Sequence, residues 1–231
     1  MNLRLFEIGI IFLNKMKIFL PIFILTLVTS CASIDTNRVA PGYVQAFNAI
    51  KQLILGFENN IQPEVISNIP YASMLVRIGN GPEALMILES VNNDRYSWIS
   101  ADGVYLVIQD GIIIKTHGLT NNLTEKLMAS QTWQEDLYDN LEYVSYNSYS
   151  LPTLNNLKVI STYSLKSKTK INLMFEIKNL RLIEETLTSS EIAWSEINQY
   201  WVDESNFVWK SEQNISPRLP TIYYEVTKKP R

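Results

Sequence analysis

The stretch WISADGVYLVIQDGIIIKTHGL, Trp98 to Leu119, decides the fold of this chain. Two Asp-Gly pairs, Asp102-Gly103 and Asp110-Gly111, stand eight residues apart, each flanked by Ile, Val, Tyr or Trp. Asp-Gly supplies the positive φ angles of a tight hairpin turn, and branched or aromatic flanks suit a pleated, half-buried surface. Three consecutive antiparallel strands follow from that spacing.

Working outward, YASMLVRIG and EALMILESV, from Tyr71 on, are β-capable runs separated by Asn80-Gly81-Pro82, with Gly79 and Gly81 able to make the tight connection. Downstream, TNNLTEKLMASQTW reads as more helical or irregular, with Asn122 a candidate cap before Leu123. LEYVSYNSYSL, LKVISTYSLKS and KINLMFEIKNL return to strand, with a turn expected near Lys168-Thr169, and Ser190 to Val202 continues the pattern. YWVDESNFVWKSEQ reads as a hairpin with Asp203 in its turn, and TIYYEVTK closes the chain as a strand. Glu184-Glu185 reads as a solvated connection.

Short links between successive strands make this a meander, without βαβ alternation. The expected fold is mainly β: a large curved antiparallel meander, an open or partial barrel, with an N-terminal amphipathic helix and a few short helices. That helix is YVQAFNAIKQLILGFENN, residues 43–60, whose Val44, Phe47, Ile50, Ile54 and Phe57 recur at a spacing near 3.6.

The N-terminus carries a different kind of signal. Met16-Lys17 is a basic start, residues 18–28 are apolar except for Pro21 and Thr26, and small or branched residues lead to Cys31, the sole cysteine. This is a secretory leader, too short and broken to span a bilayer as a finished helix. LTLVTSCAS matches the lipobox of bacterial lipoproteins, in which the leader is removed and the cysteine acylated. A lone thiol has no disulfide partner in an exported chain, so the reading makes Cys31 an anchor, with an ordinary cleaved leader or a buried thiol as the alternatives. Residues 1–15 read as an upstream start, 16–30 as the leader, 31–41 as a lipidated tether and 42–231 as one β-rich periplasmic domain.

Residues 1–30 hold Arg4, Lys15, Lys17 and Glu7, so the remaining 201 carry 17 basic and 22 acidic residues, a net charge near −5. That length supports one sizeable core. A mildly acidic chain excludes nucleic acid as the expected partner. The membrane is the expected partner through acyl chains on Cys31, and Ala32 beside the cysteine favours the outer membrane.

A catalytic set does not assemble from the residues. His117 is the single histidine, no G-x-S-x-G elbow surrounds any serine, and Asp102, Asp110 and Asp203 have an explanation as turn residues. No cofactor or metal is implied. Trp98, Trp194, Trp201 and Trp209 fall largely in strands, where core packing explains them; outward-facing members would make stacking platforms for sugar rings.

Several of these segments carry a resemblance: YASMLVRIGNGPEALMILESV, the Trp98–Leu119 stretch with its lone His117 after three isoleucines, and YWVDESNFVWKSEQNISPRLPTIYYEV. Through them the chain resembles the bacterial lipoproteins associated with group 4 capsule and exopolysaccharide production, the YjbF/GfcB family. The resemblance implies an outer-membrane lipoprotein facing the periplasm, built on a β-meander and working with polysaccharide machinery, and it transfers no catalytic residue. Two functions follow as expectations. One is a non-enzymatic component of capsule or exopolysaccharide production or export, contacting the polymer or another export protein, with Arg77, Trp98, Asp102, His117 and Trp201 as candidate contacts. The other is a lipid- or lipoprotein-handling module with a concave apolar face. A deep dry groove would favour the carrier, and a shallow face with exposed tryptophans and polar neighbours would favour glycan contact.

Overall fold

The computed structural model describes residues 61, 63–128 and 142–230, which belong to the compact unit formed by residues 46–231. A short helix, α1 (Pro63–Ser67), precedes twelve strands: β1 (Ser73–Ile78), β2 (Glu83–Asn92), β3 (Arg95–Ser100), β4 (Tyr105–Gln109), β5 (Ile112–His117), β6 (Leu123–Met128), β7 (Glu142–Tyr149), β8 (Leu154–Asn172), β9 (Ile177–Ser189), β10 (Trp194–Val202), β11 (Val208–Gln213) and β12 (Ile222–Lys228). All lie in one sheet, in the order β5-β4-β3-β2-β1-β12-β11-β10-β9-β8-β7-β6. Consecutive strands therefore pair except for β5 and β6, and the first strand pairs with the last.

Among the described strands only β5 and β6 lack a ladder between them, so the sheet is a nearly closed up-and-down barrel with one seam. Side chains bridge that seam. Thr116 Oγ1 in β5 accepts a hydrogen bond from the Leu123 amide of β6 at 2.9 Å. The edge of β5 is also covered from inside, where Gln213 of β11 accepts from the Ile113 amide (3.0 Å) and donates to the Gly111 carbonyl (2.9 Å). The Ile113 amide of β5 and the Gly111 carbonyl before it are thus occupied, which blunts this edge as a template for pairing with another chain. Register shifts in the β2–β3, β4–β5, β8–β9 and β10–β11 ladders mark bulges that help bend so long a sheet.

Strand alternation fills the interior. Met74 and Val76 of β1, Met86 of β2, Trp98 of β3, Ile183 of β9, Tyr200 of β10 and Ile222, Tyr224 and Val226 of β12 belong to one buried cluster. Each fully buried aliphatic side chain contributes about 1.5–3 kcal/mol. A second cluster lies on the outer face, where Ile66 and Ile69 cover Leu75, Leu85 and Ile87, with Ile61 and Met174 packed alongside.

The meander, the three strands around the Asp-Gly pairs and the late hairpin are as the sequence predicts. Asp110 and Gly111 have φ of 52° and 83°, the doubly positive pattern of a two-residue hairpin. Three expectations are corrected. Leu123–Met128 is strand β6, held by pairing with β7, and Asn122 caps no helix; its amide bonds the Leu119 amide and carbonyl at 2.9 and 3.1 Å. No turn occurs at Lys168-Thr169, because β8 runs on to Asn172 and the chain reverses at Leu173–Glu176, whose ends bond at 2.9 Å. Glu184-Glu185 is not a connection but the middle of β9. The residue 43–60 helix and Cys31 lie outside the described residues.

Candidate functional site

Antiparallel order places the β2–β3, β4–β5 and β10–β11 turns, together with the end of β12, at one mouth of the barrel. A cleft of about 290 Å³ opens there. Met74, Trp98, Ile108, Val208 and Val226 give it apolar walls, and Asp94, Asp110, Ser205, Asn206 and Lys229 bring polar groups. The turns are packed tightly enough to hold these groups in place. A Cβ at Gly111 would stand 2.2 Å from Val208 Cγ2, so only glycine lets the β4–β5 turn meet the β10–β11 hairpin.

That hairpin is organised by Asp203. Its Oδ1 accepts from the Ser205 amide (2.8 Å), the Ser205 hydroxyl (2.6 Å) and the Phe207 amide (3.0 Å), and its Oδ2 accepts from the Trp209 indole (2.8 Å). Partial burial works against the charge, yet these donors hold the carboxyl below its ordinary value of 3.8. Trp98 differs from Trp209 in one respect that matters for ligands. Its indole N–H is buried and has no hydrogen-bond partner among the described residues. A buried donor left unpaired costs about 1–3 kcal/mol, which an acceptor atom brought to it would recover.

A second polar constellation lies inside the sheet. Glu185 of β9 is fully buried, between Tyr163 of β8 and Asn198 of β10 in cross-strand register. It accepts from Tyr163 Oη (2.9 Å), Asn198 Nδ2 (2.8 Å) and Tyr200 Oη (2.6 Å). Burial pushes its carboxyl up, but the charge of Lys126 and hydrogen bonds from Ser161, Tyr200 and Asn198 outweigh it and leave the group below its ordinary 4.5. Burial and the neighbouring Glu185 raise both phenols well above their ordinary range, so the tyrosines stay protonated as donors. Glu185 does not line the cleft.

The residues singled out from the sequence do not form one site. Trp98 lines the cleft, but only 3% of it is exposed, and Trp194, Trp201 and Trp209 are likewise buried, so none is an open stacking platform. Trp201 has the Lys210 ammonium over its ring at 5.3 Å. Arg77 lies over the Tyr223 ring at 4.0 Å, beside a shallow depression of about 130 Å³ shared with Glu83, Glu212 and Glu225. Asp102 and His117 sit at the opposite end of the barrel. There Asp102 accepts from the Ser100 hydroxyl, His117 meets the Tyr105 ring edge-on at 6.5 Å, and Gly118 packs against the Asp102 turn. Among the described residues, no group of His, Cys, Asp or Glu side chains is placed to hold a metal ion.

Sequence reasoning missed Glu185 and the polar mouth of the cleft. Parity was the available signal for the first: in LIEETLTS, Glu185 keeps step with Ile183 and Leu187, both inward-facing. The cleft residues come from turns far apart in the chain, and only barrel closure brings them together.

The architecture is that of a twelve-stranded, nearly closed antiparallel barrel with a small mixed cleft at one mouth. The sequence model of the group 4 capsule polysaccharide lipoproteins GfcB and YjbF matches residues 47–226, and the chain belongs to that family. It is 25% identical over 160 residues to the uncharacterized lipoprotein GfcB of Escherichia coli K12, covering 63% of this chain and 70% of that protein. To the uncharacterized lipoprotein YjbF of the same organism it is 21% identical over 161 residues, 64% of this chain and 71% of that one. The crystal structure of the hypothetical lipoprotein YmcC from Escherichia coli K12 superposes with a TM-score of 0.70 at 21% identity, covering 80% of this chain and 96% of that one. That likeness shows the fold.

Proposed function

We propose that this protein is a non-enzymatic component of capsule or exopolysaccharide production or export. In this reading it is anchored in the outer membrane by lipid on Cys31, faces the periplasm and takes a saccharide unit in its cleft. The observation that carries the reading is membership of a capsule lipoprotein family across residues 47–226. The cleft supports it chemically. Carboxylates at Asp94 and Asp110 accept from hydroxyls, Lys229 donates, and the apolar walls suit the C–H face of a sugar ring. Its volume lies at the lower end of the range for small-molecule sites, about 300–1,000 Å³, which suits a single sugar unit. A lipid carrier would call for a deep dry groove, and this cleft has charged groups among its lining.

The test is deletion of the gene, complemented with wild type, Cys31→Ala or Asp94→Arg, the last placing a long cation among the cleft residues. Surface polysaccharide and polymer retained in the cell are measured together. Loss of surface polymer restored by wild type, but not by Cys31→Ala and only weakly by Asp94→Arg, is expected. Unchanged surface polysaccharide in the deletion strain would overturn the proposal.

A further inference from the structure

The β8–β9 hairpin carries features that neither the core nor the cleft uses. Residues 165–178, LKSKTKINLMFEIK, contain four lysines and one glutamate, a net charge of +3 within a chain of net −3. In register, Lys168 stands opposite Arg181, Lys170 opposite Asn179 and Asn172 opposite Ile177, so Lys168, Lys170 and Ile177 share one face of the arm. Like charges directly opposite one another are unfavourable in a sheet, and packing gives no reason to place Lys168 there. Three of these lysines have carboxylate partners, Lys166 at Glu184 (3.1 Å), Lys168 at Glu204 (2.9 Å) and Lys178 at Glu176 (2.8 Å), but every one of these side chains is partly exposed, and such pairs contribute little.

Apolar side chains accompany these cations in water. Ile177 is 67% exposed, Leu165 52% and Phe175 45%, all on this one hairpin. Met174, at its turn, instead packs into the outer cluster of Ile66, Leu75 and Leu85, and its amide donates to Glu225 at 2.6 Å, which fixes the arm in position. Ile61 joins the same cluster.

From this combination we infer that the β8–β9 arm is a membrane-contact element that rests on an anionic lipid surface. Lysines meet the lipid phosphates while Ile177 and Phe175 enter the boundary between headgroups and acyl chains, as at other interfacial sites. An acidic polymer would use the lysines but leave the exposed Ile177 unexplained. A bilayer uses both. The inference does not depend on the cleft or on polysaccharide.

All twelve strands and both apolar clusters lie within residues 61–228. A chain of residues 32–231 keeps that whole unit and removes the acyl anchor from the test. It is sedimented with vesicles of phosphatidylcholine alone and of phosphatidylcholine mixed with phosphatidylglycerol. Binding is expected with the anionic vesicles and is expected to weaken as salt rises. Lys168→Glu with Lys170→Glu should lower the affinity at least about tenfold, since each basic residue near such a surface contributes about 1 kcal/mol. Ile177→Ser should also lower it, whereas Lys168→Arg with Lys170→Arg, and Ile192→Ser in the β9–β10 turn at the other end, should not. Thermal melts of each variant establish that it is folded. Absence of binding to anionic vesicles, or equal binding by all variants, would overturn the inference. So would lysine-dependent binding to a soluble acidic polysaccharide without binding to vesicles, which would assign the patch to a polymer.

Discussion

At the scale of single residues, Glu185 shows how a charge is kept inside an otherwise apolar sheet. Two phenols and a carboxamide donate to it, and the Lys126 charge favours its ionised form. Removing one partner of such a set leaves the others unpaired, and that usually costs more than the net worth of the contacts. Glu185→Gln keeps the shape but presents an N–H₂ group to neighbours that are themselves donors. We expect it to lower stability by about 1–3 kcal/mol at neutral pH. The sign with pH follows from linkage. A carboxyl held below its ordinary 4.5 contributes stability above that pH, and the contribution is lost as pH falls through its folded-state value. Melting temperatures of wild type and variant should therefore converge as the pH is lowered below 4.5. A gap that stays constant would show that the ionised form of Glu185 contributes nothing.

At the scale of elements, the β10–β11 hairpin is an autonomous piece of local chemistry. One carboxylate closes its turn, the Phe207 and Trp209 rings meet edge to face at 5.1 Å, and Lys178 and Lys229 lie over those rings at 4.1 and 4.3 Å. Asp203→Ala removes four hydrogen bonds at once and should lower stability by about 2–3 kcal/mol, a fall of several degrees in Tm. Because Ser205, Asn206 and Phe207 also line the cleft, any saccharide bound there should be lost together with the turn's order, measurable as faster amide exchange at Ser205 and Phe207. Unchanged exchange would mean that Asp203 does not organise the turn. Such hairpins were legible because their turn residues announce themselves: Asp-Gly twice, and Asp203 before a polar tip. Strand β6 was not, since LTEKLM has Thr124 as its single β-branched residue, no aromatic, and only Leu123 fully buried. Its conformation comes from the β7 ladder, a long-range cause that local propensity does not carry. The β8–β9 turn lacks Gly and Pro, so nothing in its letters marks it against the long strands on either side.

At the scale of the whole molecule, the ladder is continuous except at the β5–β6 seam. This predicts where the chain tolerates being cut. A circular permutant that joins residue 230 to residue 61 through a short linker and opens between Thr120 and Asn121 severs no ladder. It should keep a single cooperative melt. A permutant opened within Leu173–Glu176 releases the turn that docks on Glu225 and should melt lower, with loss of the arm's fixed position. The reverse ranking would show that the seam contributes more to the sheet than its side-chain bridges suggest. The same closure explains why the cleft was illegible in the sequence, whereas the meander itself was plain.

The pairing of β1 with β12 also sets an order of events in time. A chain made N-terminus first presents β1 early, yet one flank of that strand waits for Ile222–Lys228, which follow only after all the other strands. Hairpins such as β3–β4 can form as they emerge, but the sheet cannot close until β12 has been made, and such distant pairings are slow to form. A barrel wired in this way stays threadable through a narrow pore until its twelfth strand is made and commits to its folded state only afterwards.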